Sequence, residues 1–298
     1  MKRILITGAG SRVGICFQNW MSQWSERYYI ETLDMKNKDW KQFDFSDFDT
    51  VFHVAGIAHV TLDPSMEGLF YKVNRDLTIE TAKVAKAAGV KQFIFMSSGI
   101  VYGDSSDVGK SFVITEDTKP NPANFYGMSK LQAEEGIKKL DDDYFKVAII
   151  RSPALYGIGM KSHYNNLSDF GKKHHVFPNI KNQRSMLYNK NLAEFVRLLI
   201  DNEESGIFWP QNKEYTSTVG IVKDVAMEHG RNMFLIPCPR FVAQLGARLV
   251  PALRKAFGNF TYDMHLSQYK TEYRLYSYDE SIKEIEESDE ELLVERLM

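Results

Sequence analysis

The chain has 298 residues, a formal net charge of −2 at pH 7 and two cysteines, Cys16 and Cys238. This charge balance gives no general electrostatic case for binding nucleic acid, and two cysteines do not form a disulfide framework. No apolar run approaches the ~20 residues of a membrane span, and Met1 leads within three residues into a predicted strand rather than into a signal peptide. We therefore expect a cytoplasmic protein with one domain or two close-packed lobes.

The first predicted element is an apolar strand over residues 2–7 that runs into a glycine-rich turn and then into a helix. Glycines let a backbone approach a pyrophosphate closely, and the N-terminus of the following helix favours the negative charge. An ordinary strand-to-helix turn would use the same residue types, so the turn by itself leaves two interpretations open. The residues that would contact a dinucleotide here are Gly8, Gly10, Ser11, Arg12, Val13 and Gly14.

A second predicted strand, 28–33, ends at Asp34, which lies 20 residues beyond Gly14. An acidic residue at about this offset can bind the ribose hydroxyls of NAD. A carboxylate would repel the 2′-phosphate of NADP, although Arg12 in the turn and Lys36 after the strand could each reach such a phosphate. The sequence therefore predicts NAD as the cofactor and leaves NADP open.

Two more apolar runs, at residues 50–56 and 92–96, alternate with helical patterns further along the chain. Strands that alternate with helices in this way form a parallel sheet with helices on both faces. We therefore predict an α/β fold with a Rossmann-type, doubly wound parallel sheet and a smaller α/β substrate-binding lobe toward the C-terminus.

The predicted dinucleotide-binding domain covers residues 1–151. A helix at about 189–203 returns to this domain, because its apolar residues recur on one face. Residues 152–188 and 204–298 would then form the substrate-binding lobe. Residues 104–124 are rich in Gly, Pro, Ser and charge with little periodicity, and they are predicted to form a loop over the active site.

The most informative pattern is a tyrosine and a lysine four residues apart on a predicted helix, Tyr126 and Lys130, which share one helix face. A free tyrosine has a pKa near ~10, and a close ammonium group lowers that pKa. Such a pair can exchange a proton with a hydroxyl group near neutral pH, and a serine such as Ser98 can hold the same oxygen. A helix with one buried and one solvated residue would show the same spacing by chance.

In this order, the motifs resemble those of the extended short-chain dehydrogenases/reductases, the nucleotide-sugar epimerase, dehydratase and reductase group that includes UDP-glucose 4-epimerases. The resemblance covers nearly the whole chain. It implies that Tyr126 is the catalytic acid and base, that Ser98 orients the reacting hydroxyl, and that Lys130 binds the nicotinamide ribose and lowers the pKa of the tyrosine. It also implies that Asn74 supports the active-site end of a helix and that Arg184 binds the diphosphate of a nucleotide sugar.

The resemblance extends the predicted sites to a wider set of residues. The implied cofactor contacts come from the turn, the strand ends and the catalytic helix: Gly8, Gly10, Ser11, Arg12, Val13, Gly14, Asp34, Asp44, Ala55, Gly56, Asn74, Ser97, Tyr126 and Lys130. The implied substrate contacts are Ser98, Tyr126, Asn165, Arg184 and Arg254, with Asn166, Gln211 and Asn212 as further candidates. Arg184 ranks first, and surface solvation is the favoured interpretation for Asn165, Asn166, Gln211, Asn212 and Arg254. No metal site is expected, because the seven histidines show no metal-ligand spacing.

Two departures from the family pattern bear on the chemistry. The family usually has a glycine where this chain has Ser11, so the turn must tolerate a side chain there. Sugar dehydratases of the group carry an Asp-Glu pair directly after the hydroxyl residue. Gly99 and Ile100 stand in its place and cannot transfer protons, which disfavours 4,6-dehydration.

The expected reaction is NAD-dependent inversion at C4 of a UDP-hexose through a transient 4-keto intermediate. The alternative is NAD(P)H-dependent reduction of a UDP-4-keto-6-deoxy sugar. Residues 151–157 lack the asparagine that hexose 4-epimerases often have, and the runs at 184–188 and 257–259 are similar to the reductase branch. A dinucleotide-binding regulator without turnover is a minor alternative, because a fold does not by itself imply an activity.

Two segments bear on further contacts of the chain. The resemblance implies a homodimer formed through the helix that carries Tyr126, where Leu131 and Ile137 are apolar but could equally be core residues. Residues 241–257 are largely apolar with interspersed cations. A helical part of the substrate-binding lobe is the favoured interpretation of this segment, and contact with a membrane surface is the alternative.

Overall fold

The computed structural model describes residues 1–58 and 63–297, with side chains except those of residue 251 and residues 289–297. The strands are β1 (Lys2–Thr7), β2 (Tyr28–Leu33), β3 (Thr50–His53), β4 (Gln92–Ser98), β5 (Val113–Ile114), β6 (Lys146–Ser152), β7 (Ala154–Tyr156), β8 (Val176–Asn179), β9 (Met186–Tyr188), β10 (Gly206–Phe208), β11 (Phe234–Pro237) and β12 (Thr261–Tyr262). The helices are α1 (Arg12–Met21), α2 (Glu67–Phe70), α3 (Leu77–Ala87), α4 (Phe125–Lys138), α5 (His163–Lys173), α6 (Asn189–Asp201), α7 (Thr218–Glu228), α8 (Arg240–Leu249), α9 (Pro251–Phe257) and α10 (Tyr278–Leu297).

Six strands form one parallel sheet in the order β2-β1-β3-β4-β6-β10. The chain starts inside the sheet, moves outward to β2, and then crosses to β3 on the other side of β1. This reversal confirms the predicted Rossmann-type, doubly wound sheet. Because open sheets of this kind bind ligands where the strand order reverses, the carboxyl ends of β1 and β3 mark the expected position of the site.

Helices cover both faces of the sheet, as the alternation of strands and helices predicts. Ile4 and Ile6 of β1 pack in one cluster with α1 and α6, whereas Leu5 between them packs in a second cluster with α3 and α4. This alternation follows from the two-residue period of a strand. Helix α6 packs against the sheet through the apolar residues of its one face, which are Leu192, Phe195, Val196 and Leu199.

The edge of the sheet departs from the predicted division of the chain. Strand β10 pairs in parallel with β6, with Ile207 opposite Ile149, although residues 204–298 were assigned to the substrate-binding lobe. Strand β10 has only three residues and begins at Gly206, which has φ +113°. Three residues are too few for an alternation of apolar and polar side chains to be recognised in the sequence. The division into two lobes otherwise stays a prediction.

The C-terminal part is a smaller mixture of helices and short parallel strand pairs, β5–β12, β7–β9 and β8–β11. The predicted loop at 104–124 contains β5, and its Val113 lies opposite Thr261, so the loop is fastened to the C-terminal part. No helix among the described residues is long and apolar enough to cross a membrane.

Of the two apolar residues considered for a dimer contact on α4, only Ile137 is a fully buried core residue. Leu131 is half-buried and packs against a cluster that contains Val101, Tyr102 and Tyr262. Ile137 therefore provides no free apolar surface. The homodimer stays a prediction.

Candidate active site

An open cleft of about 1840 Å³ lies where the strand order reverses. Segments that follow β1, β3, β4 and β6 line one side of it, and they include the predicted residues Gly10, Ser11, Arg12 and Val13 of the turn, Gly56 and Ser97. The C-terminal part lines the other side through His163, Arg184, Arg254 and Phe260. The three predicted catalytic residues, Ser98, Tyr126 and Lys130, all line the same cleft.

The turn after β1 leaves room for a ligand because of its glycines. Gly8 has φ +120°, and a Cβ added there would lie 2.7 Å from the backbone nitrogen of Ala55. Gly10 has φ +77°, and an added Cβ would meet nothing within 4 Å. Ser11 has an ordinary φ of −65°, and its Oγ accepts a hydrogen bond of 3.5 Å from the backbone nitrogen of Gly14. The serine therefore caps α1, which explains why this turn tolerates a side chain.

Tyr126 is positioned by the start of α4. Asn124 begins this helix by accepting a hydrogen bond from the backbone nitrogen of Gly127 over 3.0 Å. The ring of Tyr126 packs edge-on against Phe70, with 5.7 Å between the ring centres. Burial raises the pKa of Tyr126 above its ordinary value of 10.0, and a hydrogen bond with Ser98 opposes that shift. The end of β4 and the start of α4 thus bring the two predicted catalytic hydroxyls into contact.

Lys130 is buried one turn further along α4. Its Nζ donates a hydrogen bond of 2.9 Å to the carbonyl of Met96 and lies 4.6 Å from the centre of the Phe95 ring. Burial lowers the pKa of Lys130 from 10.5 to about 8, and the carboxylate of Glu134 partly opposes this. In this arrangement the ammonium binds a backbone carbonyl, so the lowering of the tyrosine pKa by Lys130 stays a prediction.

Asn74 fastens the segment after β3 to the catalytic helix. It is fully buried in a π-helical turn, Tyr71–Asp76, a geometry that is frequent at functional sites. Its Oδ1 accepts a hydrogen bond of 2.8 Å from the backbone nitrogen of Ile57, and its Nδ2 donates to Ser129 Oγ over 3.2 Å. Ser129 in turn donates to the backbone carbonyl of Tyr126 over 2.8 Å. These contacts are consistent with the supporting role that the resemblance implies.

The residues around the turn fit a dinucleotide. A Cβ on Gly56 would lie 3.1 Å from Asn74 Oδ1 and 3.3 Å from Lys130 Nζ, so the glycine keeps a buried cation and an amide accessible from the cleft. The helix that follows the glycine turn directs its N-terminus at the same cleft, which favours a phosphate there. NAD, the predicted cofactor, matches this combination of an anion site and a cation site.

Two acidic residues of the predicted cofactor site do not line the cleft. Asp34 is exposed directly after β2, and it stays beside the glycine turn because the backbone nitrogen of Gly8 donates to Leu33 over 2.9 Å. Asp44 is also exposed, and its Oδ1 accepts hydrogen bonds from Ser46 Oγ and Ser46 N over 2.6 and 2.9 Å. These two bonds lower the pKa of Asp44. One oxygen of each carboxylate is therefore engaged in a local turn, since Asp34 Oδ1 also accepts a hydrogen bond of 2.9 Å from the backbone nitrogen of Lys36. Of the two residues, Asp34 is the one beside the predicted pyrophosphate turn.

A buried charge pair joins α4, the helix that carries Tyr126, to the central sheet. Arg151 Nη2 contacts Glu134 Oε2 at 2.6 Å, and the two side chains are only 7% and 1% exposed. Ser97 Oγ donates to Glu134 Oε1 over 2.5 Å, and Arg151 Nη1 donates to Tyr102 Oη over 2.7 Å. Ser97, a predicted cofactor residue, thus directs its hydroxyl at this pair. The pair links β4, α4 and β6 beneath the cleft, and it was not predicted from the sequence.

Gly99 is held against two aromatic residues from the C-terminal part. A Cβ on Gly99 would lie 2.4 Å from the hydroxyl of Tyr262 and 3.0 Å from the ring of Phe260. Tyr262 is fully buried and donates a hydrogen bond of 2.9 Å to the backbone carbonyl of Arg151, so it cannot easily move away. The space for an acidic side chain after Ser98 is therefore filled by rings, which gives a steric reason for the predicted lack of dehydration.

Replacing Gly99 by alanine is expected to lower the free energy of unfolding by about 1–3 kcal/mol, because the new methyl group overpacks a rigid site. Gly68→Ala is the matched control: an added Cβ there meets nothing within 4 Å, and alanine should stabilise the helix by up to about 1 kcal/mol. Chemical denaturation of both variants tests this. Equal stability of Gly99→Ala and the wild type would mean that Phe260 and Tyr262 are free to move.

Arg184 directs a half-buried cation at the cleft. Burial lowers the pKa of Arg184 from 12.5 to about 10, which leaves it charged at neutral pH. Its Nη2 donates to the backbone carbonyl of Lys255, while its buried Nε has no hydrogen-bond partner among the described residues. Burial, and to a smaller extent the charge of Arg184, lowers the pKa of His163 on the same side of the cleft. A charged guanidinium in which one donor has no partner among the described residues is suited to bind an anion.

The other two predicted substrate residues differ in position. Arg254 lines the cleft and lies 3.8 Å from the carboxylate of Asp104 in an exposed ion pair. Asn165 does not line the cleft. Its Oδ1 accepts a hydrogen bond of 2.8 Å from the backbone nitrogen of Ser162 and so completes a capping box at the start of α5. The side-chain amide of Asn165, which is predicted to contact the substrate, thus caps the start of α5 instead.

Gln211 and Asn212 are not solvated surface residues, which was the favoured interpretation for both. Each is only 1% exposed. Gln211 accepts a hydrogen bond of 2.5 Å from Ser185 Oγ, and Asn212 donates one of 2.8 Å to Tyr156 Oη. Both amides therefore satisfy buried polar groups within the C-terminal part.

Comparison with known proteins identifies the family and relatives of the chain. The model of the NAD dependent epimerase/dehydratase family matches residues 17–208. A UDP-glucose 4-epimerase from Vibrio cholerae is 32% identical over 207 residues, which is 67% of this chain and 62% of that protein. The N-acetyl-alpha-D-glucosaminyl-diphospho-ditrans,octacis-undecaprenol 4-epimerase of Escherichia coli O157:H7 is 32% identical over 167 residues, 53% of this chain and 47% of that protein. The chain thus spans less than two thirds of either relative.

The fold is similar to that of solved structures over almost the whole chain. A dTDP-4-dehydrorhamnose reductase from Clostridium acetobutylicum superimposes with a TM-score of 0.75 and 21% identity, covering 97% of this chain and 99% of that chain. At this identity the likeness concerns the fold alone. It agrees with the doubly wound sheet and the C-terminal part described above.

Proposed function

The chain belongs to the NAD dependent epimerase/dehydratase family, and from this premise we propose that it inverts C4 of a UDP-hexose with NAD as its cofactor. The observation that carries the proposal is that Ser98, Tyr126 and Lys130 line one cleft together, with the buried ammonium of Lys130 one turn further along the helix that carries Tyr126. The similarity to the UDP-glucose 4-epimerase of Vibrio cholerae supports an epimerase over the other reactions of the family.

When bound, NAD supplies the hydride acceptor and donor for C4. Tyr126 Oη accepts the proton of the C4 hydroxyl and returns it to the inverted oxygen. Ser98 shares a hydrogen bond with the tyrosine and holds the same substrate oxygen. Because burial raises the pKa of Tyr126, the phenolate needs a positive charge nearby, and Lys130 supplies it when the site is filled.

Arg184 binds the diphosphate of the substrate. Its Nε, which has no partner among the residues that the structure describes, and its charge suit a phosphate oxygen. Its position on the C-terminal side of the cleft separates it from the tyrosine and the turn. Diphosphate is the part of the substrate that a nucleotide carrier and a lipid carrier share. The name of the Escherichia coli relative describes a sugar on a lipid diphosphate. A second question for this site is therefore whether its sugar is linked to a nucleotide or to a lipid.

Replacing Arg184 by alanine is expected to raise KM for the nucleotide sugar by about 10–100-fold, the value of one or two charge-assisted hydrogen bonds. The kcat should change little, because the diphosphate is bound equally in the ground state and the transition state. Arg254→Ala is the matched control, and its exposed ion pair with Asp104 should be worth less than about threefold. A larger effect at Arg254 than at Arg184 would assign the diphosphate to α9 instead.

The function is tested on purified protein without added cofactor. Denaturation and identification of the released dinucleotide come first, followed by incubation of fresh protein with UDP-galactose and UDP-N-acetylgalactosamine. Stoichiometric NAD together with C4 inversion is the expected result. A protein that inverts neither sugar, but oxidises NADH or NADPH with a UDP-4-keto-6-deoxy sugar, would overturn the epimerase in favour of a reductase that uses the same three residues once.

A further inference from the structure

Helix α8 carries its large apolar side chains on the outside of the protein. Ala243 and Ala247 are buried, whereas Phe241, Leu245 and Leu249 are 71%, 57% and 75% exposed. These three residues recur at every fourth position, so they form one stripe along the helix. A helix that buries alanines and exposes Phe and Leu has the reverse of the usual arrangement in water, which indicates a contact surface.

The apolar surface continues in the chain before the helix. Strand β11 ends two residues before α8 begins, and its Phe234 and Ile236 are 67% and 55% exposed. Leu235 between them packs against the core of the C-terminal part. The strand therefore presents its alternate side chains outward, next in sequence to the stripe on α8. We call β11 and α8 together the apolar face.

The charge of the segment that carries the apolar face is one-sided. Between Glu228 and Asp263 the sequence contains no acidic residue, although the chain as a whole has 39 of them in 298 residues. The cations in the same segment are Arg231, Arg240, Arg248, Arg254 and Lys255. Exposed Phe and Leu combined with Arg and Lys, in a segment that carries no carboxylate of its own, is the chemistry that binds a surface of anionic phospholipids. Among these cations, Arg254 lies 3.8 Å from the carboxylate of Asp104, which comes from the loop at 104–124. A partner protein carries charges of both signs, so a surface that binds such a partner would not need to lack carboxylates.

The apolar face adjoins the cleft. Helix α8 is fastened to the loop at 104–124, because Arg240 donates to the carbonyl of Gly109 over 2.5 Å and Gln244 donates to that of Val108 over 3.2 Å. The same loop lines the cleft through Asp104. Helix α9, which follows α8 directly, lines the cleft through two of the cations, Arg254 and Lys255.

We propose that the apolar face docks the protein on an anionic membrane surface. Docking places the cleft beside the lipid headgroups, where it reaches a sugar whose diphosphate is carried by a membrane lipid. This consequence rests on the proposed function, since it requires that the cleft takes a diphosphate-linked sugar, whereas docking itself does not.

The docking is tested by flotation of the full chain with vesicles of equal parts phosphatidylcholine and phosphatidylglycerol, and with vesicles of phosphatidylcholine alone. The protein is expected to float with the anionic vesicles, and less so when salt is raised to about 0.5 M. The variant with Phe241→Ser, Leu245→Ser and Leu249→Ser should lower the partition coefficient at least about tenfold, because the apolar stripe is lost. Tyr144→Ser and Leu275→Ser, at two side chains that are 88% and 52% exposed elsewhere, form the matched control and should float like the wild type.

Three results would overturn the proposal. In the first, the wild type binds neither kind of vesicle, and in the second, the stripe variant floats as well as the control. In the third, light scattering finds a dimer for the wild type and a monomer for the stripe variant, which would assign the apolar face to a second copy of this chain.

Turnover separates a failure of docking from a failure of the proposed function. With UDP-galactose in solution, the stripe variant and the wild type should be equally active, because none of the three residues lines the cleft. With an undecaprenyl-diphosphate-linked N-acetylhexosamine in the anionic vesicles, the stripe variant should lose at least about tenfold in rate relative to the control. Flotation of the wild type without turnover of either sugar would support docking and overturn the epimerase. Turnover of UDP-galactose without flotation would support the epimerase and overturn docking.

Discussion

Replacing Tyr126 by phenylalanine is expected to lower kcat for C4 inversion by about 10²–10⁴-fold, because it removes the group that exchanges the proton. The substitution deletes a single oxygen. The ring keeps its edge-on packing against Phe70, and the helix keeps its cap at Asn124. The loss should therefore appear in kcat, while the content of bound dinucleotide and the thermal stability stay close to those of the wild type. The measurement is the rate of C4 inversion together with the amount of NAD released on denaturation.

The matched control for Tyr126→Phe is Tyr144→Phe, which deletes the same oxygen from a side chain that is 88% exposed outside the cleft. This control should be as active as the wild type. If Tyr126→Phe inverted the sugar at the wild-type rate, another group would have to move the proton. If it kept full biological activity and neither protein turned over a sugar, the chain would be a dinucleotide-binding regulator.

The parts of the site that could be predicted from the sequence depend on neighbours along the chain. The glycine turn lies between a strand and a helix, and its φ values of +120° at Gly8 and +77° at Gly10 are local properties that glycine satisfies. The spacing of Tyr126 and Lys130 fixes their common helix face in the same way. Patterns of this kind specify the dinucleotide end of the cleft and the catalytic helix before any tertiary contact is known.

The other side of the cleft depends on contacts between distant parts of the chain. Phe260 and Tyr262 meet Gly99 because β12 pairs with β5, and no local signal in either segment announces that pairing. Asn165 is a different case, because an amide at a helix start suits both a ligand site and a helix cap, and the cap here is a local contact with Ser162, three residues earlier. The three predicted catalytic residues all line the cleft, whereas Asn165 of the predicted substrate residues does not.

Replacing Glu134 by glutamine is expected to lower the free energy of unfolding by about 3–5 kcal/mol, because it leaves the buried guanidinium of Arg151 without its counter-charge. This is a large part of the ~5–15 kcal/mol that stabilises a typical domain. Glutamine keeps the size of the side chain and an acceptor for Ser97, so the effect reports the charge rather than a cavity. Chemical denaturation measures it.

The second consequence of Glu134→Gln concerns the catalytic lysine. Burial holds the pKa of Lys130 at about 8, and Glu134 keeps it from falling further. If the Lys130 ammonium is required, kcat/KM of the wild type should decline as the pH rises through about 8, and the decline should begin at lower pH in the variant. If the pH dependence of kcat/KM were the same in the variant and the wild type, the charge of Lys130 would not be required for activity.

The double variant Glu134→Gln with Arg151→Met separates these two roles. Because the buried cation is removed together with its partner, most of the lost stability should return, as it does when buried ion pairs are replaced by packed apolar side chains. Tyr102 Oη keeps a donor in this variant, since Trp209 Nε1 lies 2.8 Å from it. The pH profile should nevertheless stay shifted, because the carboxylate that raises the pKa of Lys130 is still absent. Stability and the pH profile recovering together would mean that Glu134 acts on the site only through the fold.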